Sequence, residues 1–258
     1  MSLVWLEDLR LNAELSGPAA APPLVLIHGL GLDLGLWDAL LPRLFARTLR
    51  IDLRGHGASD TPPAPYAMGR LIRDVERLMG HFALRDAVVL GAGEGGLIAQ
   101  GLAAKRLDLV RAMVLTGSAT RFANPSVWDA RLGRLRDHGP DLGAECVQLL
   151  GPRWQVSPAL VPVRAMLELT RPEGWQGFAA ATATADFYQT TATLKLPTLV
   201  LAGSDDRKTP PDIQRELADL VAGAQFHLLR GGSHLCMLTH ADAFAEALLG
   251  FLDRLGHF

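Results

Sequence analysis

Short apolar runs and longer stretches of helical periodicity alternate along the chain. Runs at residues 3–6, 9–15, 24–27, 49–53, 87–90, 110–115, 198–202 and 226–229 predict strands. Met68, Leu71, Ile72, Val75, Leu78, Met79 and Phe82 recur at helical spacing and predict an amphipathic helix. A helix is also predicted over 36–47, with Trp37, Leu40, Leu41 and Leu44 on one face, and another, rich in small residues, over 95–106. Thr209 is expected to cap a helix that begins at Pro210, turns Ile213, Leu217, Leu220 and Val221 inward and closes at Gly223. Phe244, Leu248, Phe251, Leu252 and Leu255 mark a last helix. Residues 119–193 break the rhythm, with helical stretches at 127–138, 160–169 and 177–187 and no strand pattern. The expected architecture is α/β: a mainly parallel sheet with helices on both faces, built from 1–118 and 194–258, with 119–193 inserted as a helical cap.

Composition narrows the classes. With 258 residues, 49% of them apolar, the chain is long enough for one sizeable α/β domain. A net charge of −2 gives no reason to expect nucleic acid or an anionic membrane as partner, and no apolar run has the length of a membrane span. Glu7 and Asp8 stand where a signal peptide would carry basic and then apolar residues, so none is expected. Cys146 and Cys236 make neither a metal spacing nor a disulfide framework, which fits free thiols in the cytoplasm. No metal or organic cofactor is expected, the partner is a small molecule, and the oligomeric state is left open.

The chemistry gathers at strand ends. After the run 87–90 the chain reads Gly91-Ala92-Gly93-Glu94-Gly95, a strand, sharp turn and helix built on glycine spacing. This resembles the nucleophile elbow, Gly-x-Ser-x-Gly, of the α/β-hydrolase family, with Gly93 at the nucleophile position. His28-Gly29 resembles that family's first oxyanion loop, which implies the amides of Leu30 and Glu94 as donors. Residues 52–59 are similar to a turn that closes the sheet edge. Gly203-Ser204-Asp205-Asp206 resembles the strand end with the family's acid, mapping it to Asp206, and Gly232-Ser233-His234-Leu235 the loop with its histidine, His234. Trp128-Asp129-Ala130-Arg131, the stretch Leu169 to Trp175 and Thr209-Pro210-Pro211 resemble the 3-oxoadipate enol-lactonase branch, which implies a small anionic enol-lactone as substrate class. His28, Trp128, Trp154 and Trp175 are the pocket candidates. Seven arginines and seven acidic residues balance over 119–193, so solvated helix faces account for most of them.

Glycine at 93 allows no acyl-enzyme there, yet it suits a strained turn and leaves space beside His234 for a water. Asp206 is expected to hold His234 through Nδ1, with Nε2 facing Gly93. Ser118 and Ser233 read as loop residues and Cys236 as a buried, inert thiol. Glu94 reads first as a favourable charge at its helix N-terminus; the sharper alternative is a general acid or base, protonated if burial raises its pKa. Four functions follow: a hydrolase of small esters or lactones without serine, a non-hydrolytic acid–base enzyme in the same pocket, a binding protein on this frame, or an altered chain whose natural residue is serine.

Overall fold

Eight of the predicted runs become one sheet. The computed structural model describes residues 2–122 and 124–257. Strands β1 (Ser2–Leu6), β2 (Leu9–Ser16), β3 (Pro23–Ile27), β4 (Arg47–Ile51), β5 (Ala87–Ala92), β6 (Val110–Thr116), β7 (Thr198–Gly203) and β8 (Gln225–Leu229) stand in the order β1-β2-β4-β3-β5-β6-β7-β8. β1 and β2 form a hairpin and β2 runs antiparallel to β4; every other pairing is parallel. The parallel strands β3, β5, β6 and β7 are mostly apolar and almost wholly buried because helices cover both faces. Helices α1 (Met68–His81) and α2 (Gly95–Lys105) pack on one another and α2 lies against β5 and β6.

Between β6 and β7 lie α3 (Pro125–His138), α4 (Leu142–Leu150), α5 (Leu160–Leu169), α6 (Pro172–Ala183) and α7 (Tyr188–Ala192), with no strand among the described residues. α7 packs on α2, where Thr191 Oγ1 donates to Gln100 Oε1 at 2.6 Å. Helices α8 (Pro211–Leu220), α9 (Cys236–Thr239) and α10 (Ala241–Arg254) complete the chain. No helix among the described residues is long and apolar enough to cross a membrane.

Several local expectations are corrected. Instead of a helix over 36–47 there are two 3₁₀ turns, Leu34–Trp37 and Leu41–Arg43. Asp33 caps the first through Gly35 N, and Pro42 has no N–H to continue a helix. Leu36, Trp37 and Leu40 are still buried, so their spacing reported burial rather than helix. Strand β4 occupies 47–51 rather than 49–53, which frees Asp52 for the loop. Thr209 does not cap α8: its Oγ1 is buried without a partner, and its N–H donates to Asp206 Oδ1 at 2.8 Å. α8 consequently turns Gln214 inward and Ile213 outward. Helix α4, capped by Asp141 through Ala144 N, was not expected, and α6 begins five residues before the predicted 177.

Candidate functional site

The loops after β3, β5, β6, β7 and β8 meet at the carboxyl end of the sheet, where open α/β sheets bind ligands. At the centre, β5 turns sharply into α2. Gly93 sits there at φ +55° with its N–H on Thr116 O at 2.9 Å. That backbone region favours glycine. A Cβ on residue 93 would stand 3.2 Å from His234 Nε2 and 3.7 Å from Gly29 Cα. Gly95 is needed for a different reason: a Cβ there would fall 2.5 Å from the carbonyl oxygens of Ile27 and His28.

His234 is 3% exposed and Asp206 4%. His234 Nδ1 lies 2.9 Å from Asp206 Oδ2 and 3.1 Å from Oδ1. A carboxylate accepts, so Nδ1 donates, and the neutral ring keeps its lone pair on Nε2, the atom that faces Gly93. Asp206 is itself fixed by the N–H groups of Lys208 (2.9 Å) and Thr209 (2.8 Å) and by Gln214 Nε2 (3.1 Å). Gln214 Oε1 accepts from Gly117 N at 2.8 Å and ties the end of β6 to the acid. Asp205 is turned away, against Ser204 Oγ and Arg153.

The loop after β3 is braced by two histidines. Leu53 N donates to His28 Nε2 at 3.0 Å, so His28 Nδ1 donates to Gly29 O at 2.8 Å. Gly31 N donates to His56 Nε2 at 3.0 Å, and His56 Nδ1 donates to Arg54 O at 3.1 Å. Burial lowers His28 to about 4; burial, then the charge of His28, lowers His56 to about 3. Both are neutral in ordinary buffers. His28 is fully buried and holds the loop, which corrects its expected place in a pocket wall. The turn at 52–59 has the structural role expected of it. Asp52 accepts from Asn12 Nδ2, Leu34 N and Ala58 N, and Arg54 meets Asp74 through two buried hydrogen bonds of 2.6 and 2.8 Å.

Glu94 departs most from expectation. Its side chain makes no capping hydrogen bond to α2 and is fully buried. Leu30 N donates to Glu94 Oε2 at 3.1 Å, while Lys208 Nζ lies 3.0 Å from Oε1 and 3.3 Å from Oε2. Burial is the strongest influence on this carboxyl and raises its pKa. The charges of Lys208 and Arg131, the hydrogen bond from Lys208 and the residue's own backbone N–H together outweigh it, to about 2. Glu94 is therefore ionised, not protonated, and the Leu30 amide is occupied by a carboxylate oxygen.

From Glu94 and Lys208 a cleft of about 570 Å³ opens beneath α3 and α4, with Trp128, Arg131, Arg134 and Arg207 in its walls. Trp128 is the one tryptophan candidate that borders it. Its Nε1 is bonded to Phe122 O, and Arg131 lies over its ring while reaching Glu145 at 2.7 Å. Trp154 lines a separate cleft with Asp205 and Asp206, and Trp175 is buried against Gly31. Most other arginines of this segment make exposed pairs, such as Arg121–Asp186 and Arg164–Glu168.

Ser118 Oγ is buried against Gly96 with no hydrogen-bond partner, and Ser233 Oγ meets Thr239 Oγ1 at 3.2 Å. Burial pushes the Cys236 thiol up to about 12. No group of three His, Cys, Asp or Glu among the described residues is placed to hold a metal. Sequence reasoning missed Lys208, Gln214 and His56. Gln214 had a signal, a polar residue one position from the inward face assigned to α8; Lys208 had none, since its partner is 114 residues away.

Residues 24–247 match the alpha/beta hydrolase family. The chain is 27% identical over 257 residues to 3-oxoadipate enol-lactonase 2 of Acinetobacter baylyi, covering 96% of this chain and 95% of that one. It is 30% identical over 247 residues to the pimeloyl-[acyl-carrier protein] methyl ester esterase of Klebsiella pneumoniae, covering 90% and 94%. The crystal structure of the enol-lactonase from Burkholderia xenovorans superposes with a TM-score of 0.93 at 31% identity, covering 98% of this chain and all of that one. By the span of the match and the shared fold, the chain belongs to the alpha/beta hydrolase family.

Proposed function

We propose that this protein hydrolyses a small carboxylic ester or lactone in the cytoplasm with water, rather than serine, as the nucleophile. One observation carries the reading: His234 Nε2 faces Gly93, 3.2 Å from where a Cβ would stand, with Nδ1 held by Asp206 at 2.9 Å. A water bound between Nε2 and the substrate donates to Nε2 and attacks the substrate carbonyl carbon. Asp206 orients the imidazole and stabilises the imidazolium. The carbonyl oxygen, now an oxyanion, takes the amides of Leu30 and Glu94 as the Glu94 carboxylate withdraws onto Lys208. The tetrahedral adduct then collapses, His234 returns its proton to the leaving alkoxide, and the acid departs. The names of the enol-lactonase and methyl ester esterase relatives support this substrate class, and residues 119–193 serve as the cap over it.

Hydrolysis of p-nitrophenyl acetate and of an enol-lactone tests the proposal. His234→Ala is expected to lose about 10²–10⁴-fold in rate, as for removal of a general base. Phosphonate and sulfonyl reagents are expected to leave residues 91–95 unmodified, and no acyl-enzyme should be trapped. Full activity in folded His234→Ala refutes the mechanism. A second reading, non-hydrolytic proton transfer of lyase or decarboxylase type in the same pocket, is favoured by one observation: the ionised Glu94 on the Leu30 amide opposes a developing oxyanion.

A further inference from the structure

The oxyanion loop does not present an empty donor. The Leu30 amide is already satisfied by an anion that the chain supplies itself. Leu30 N reaches Glu94 Oε2 at 3.1 Å, Lys208 Nζ lies 3.0 Å from Oε1, and Arg131 adds its charge from across the cleft. Lys208 is 7% exposed and Glu94 not at all. The pair is too dry to be an incidental surface contact, and the cleft of about 570 Å³ that it faces gives small molecules a route to it. One backbone N–H and one ammonium make a donor set suited to a carboxylate, and the Arg131 guanidinium adds its charge while bonded to Glu145.

We propose that this position is a carboxylate-binding site whose resident ligand is Glu94, and that Glu94 acts as a tethered competitor keeping small monocarboxylates out of it. The second half rests on the hydrolytic reading, because every ester or lactone cleaved leaves a carboxylate beside these donors. A free product has to hold the site at its solution concentration. Glu94 returns from a distance of a few bonds, at an effective concentration of order mM or above. Product release is then an exchange of one carboxylate for another, with Lys208 in contact with the incoming one.

Acetate is the probe, and the backbone amide of Leu30, followed by NMR, is the reporter; no turnover is needed. Wild-type protein is expected to give no saturable shift at Leu30. Glu94→Ala should bind acetate at least about tenfold more tightly, with the shift centred on Leu30. Adding Lys208→Met to Glu94→Ala should abolish that gain. Asp141→Asn removes a carboxylate from the same cleft, keeps the cap of α4 and does not vacate the site, and should behave as wild type. A folded Glu94→Ala whose Leu30 amide ignores acetate overturns the proposal. So does an Asp141→Asn gain as large as that of Glu94→Ala, which makes the effect one of net charge. If Glu94→Ala does not fold, Glu94→Gln takes its place: its neutral amide should yield to acetate, and failure to do so overturns the site equally. Acetate inhibition of p-nitrophenyl acetate hydrolysis, about tenfold stronger in Glu94→Gln than in wild type, tests product clearance separately. A protein that hydrolyses nothing but still binds acetate after Glu94→Ala retains the site and loses only the hydrolytic reading.

Discussion

Gly93→Ser tests the site most directly. The new Cβ would enter at φ +55°, 3.2 Å from His234 Nε2. An L-residue in that region costs about 1–2 kcal/mol, and the contact with the imidazole is tight enough to require a shift of a few tenths of an ångström. A total of about 1–3 kcal/mol is expected, seen as a fall in Tm of roughly 2–4 °C per kcal/mol for a chain of this size. In return the hydroxyl stands beside a histidine whose other nitrogen is already held by Asp206. Serine alone still faces the Glu94 carboxylate on Leu30 N, and a lost oxyanion donor costs about 10²–10³ in rate. Gly93→Ser/Glu94→Gln replaces that charge with a neutral amide, which yields to a developing oxyanion. The double variant is therefore expected to exceed Gly93→Ser by up to about a hundredfold. The assay is steady-state hydrolysis of p-nitrophenyl acetate and an enol-lactone, a burst of p-nitrophenol stoichiometric with protein, and phosphonate labelling located at residue 93. If wild type, single and double variants are all folded, equally slow and unlabelled at 93, the elbow is not aligned with His234 as the distances indicate, and the reasoning fails.

Two further outcomes concern stability. Asp74→Ala leaves the Arg54 guanidinium, 5% exposed, without its buried partner; a loss of about 3–5 kcal/mol in denaturant unfolding is expected, and less than 1 kcal/mol would show that Arg54 finds Asp8 or water instead. Acid should weaken the fold early, because the unfolded chain protonates His28 and His56 near pH 6.5 while the folded protein refuses those protons until about 4 and 3. Their contribution is intact above pH 6.5 and is lost as pH falls towards 4 and then 3, on the order of 3 kcal/mol for His28 alone. Glu94, lowered to about 2, adds a loss between about pH 4.5 and 2. Unfolding midpoints that stay level from pH 7 to 4.5 would contradict the neutral, buried imidazoles.

What could be read from the sequence follows from how far each interaction reaches along the chain. Strands β3, β5, β6 and β7 were legible because burial on both faces writes a nearly continuous apolar run, broken in β6 only by Arg111 and Thr116. Residues 36–47 were not, because Leu36, Trp37 and Leu40 fill the core from 3₁₀ turns at spacings that a helix would also produce. Asp206 and His234 were legible as candidates because each follows a strand end within a glycine-marked loop. Glu94 was legible only as a charge at the N-terminus of α2, because its sequence neighbours define nothing more. The groups that decide its state are Leu30, Arg131 and Lys208, and the sequence does not bring these together. His28 and Trp175 were placed in a pocket by residue type, whereas their hydrogen bonds and packing put them behind it.

Two ionisable pairs, His234–Asp206 and Glu94–Lys208, thus lie at the carboxyl end of the sheet, each nearly excluded from water. Stability is a poor explanation for either. Removing such groups from water costs several kcal/mol per ion, and apolar replacements of similar volume are often neutral or stabilising. The surrounding structure nevertheless gives Asp206 three further donors and spends Gln214 on holding it to the end of β6. The neutral His28 and His56 set the loop that presents Leu30. Such positioning has a purpose if a base at Nε2 and an exchangeable anion at Leu30 act on the same molecule. Glycine at 93 keeps a Cβ from standing 3.2 Å from that Nε2.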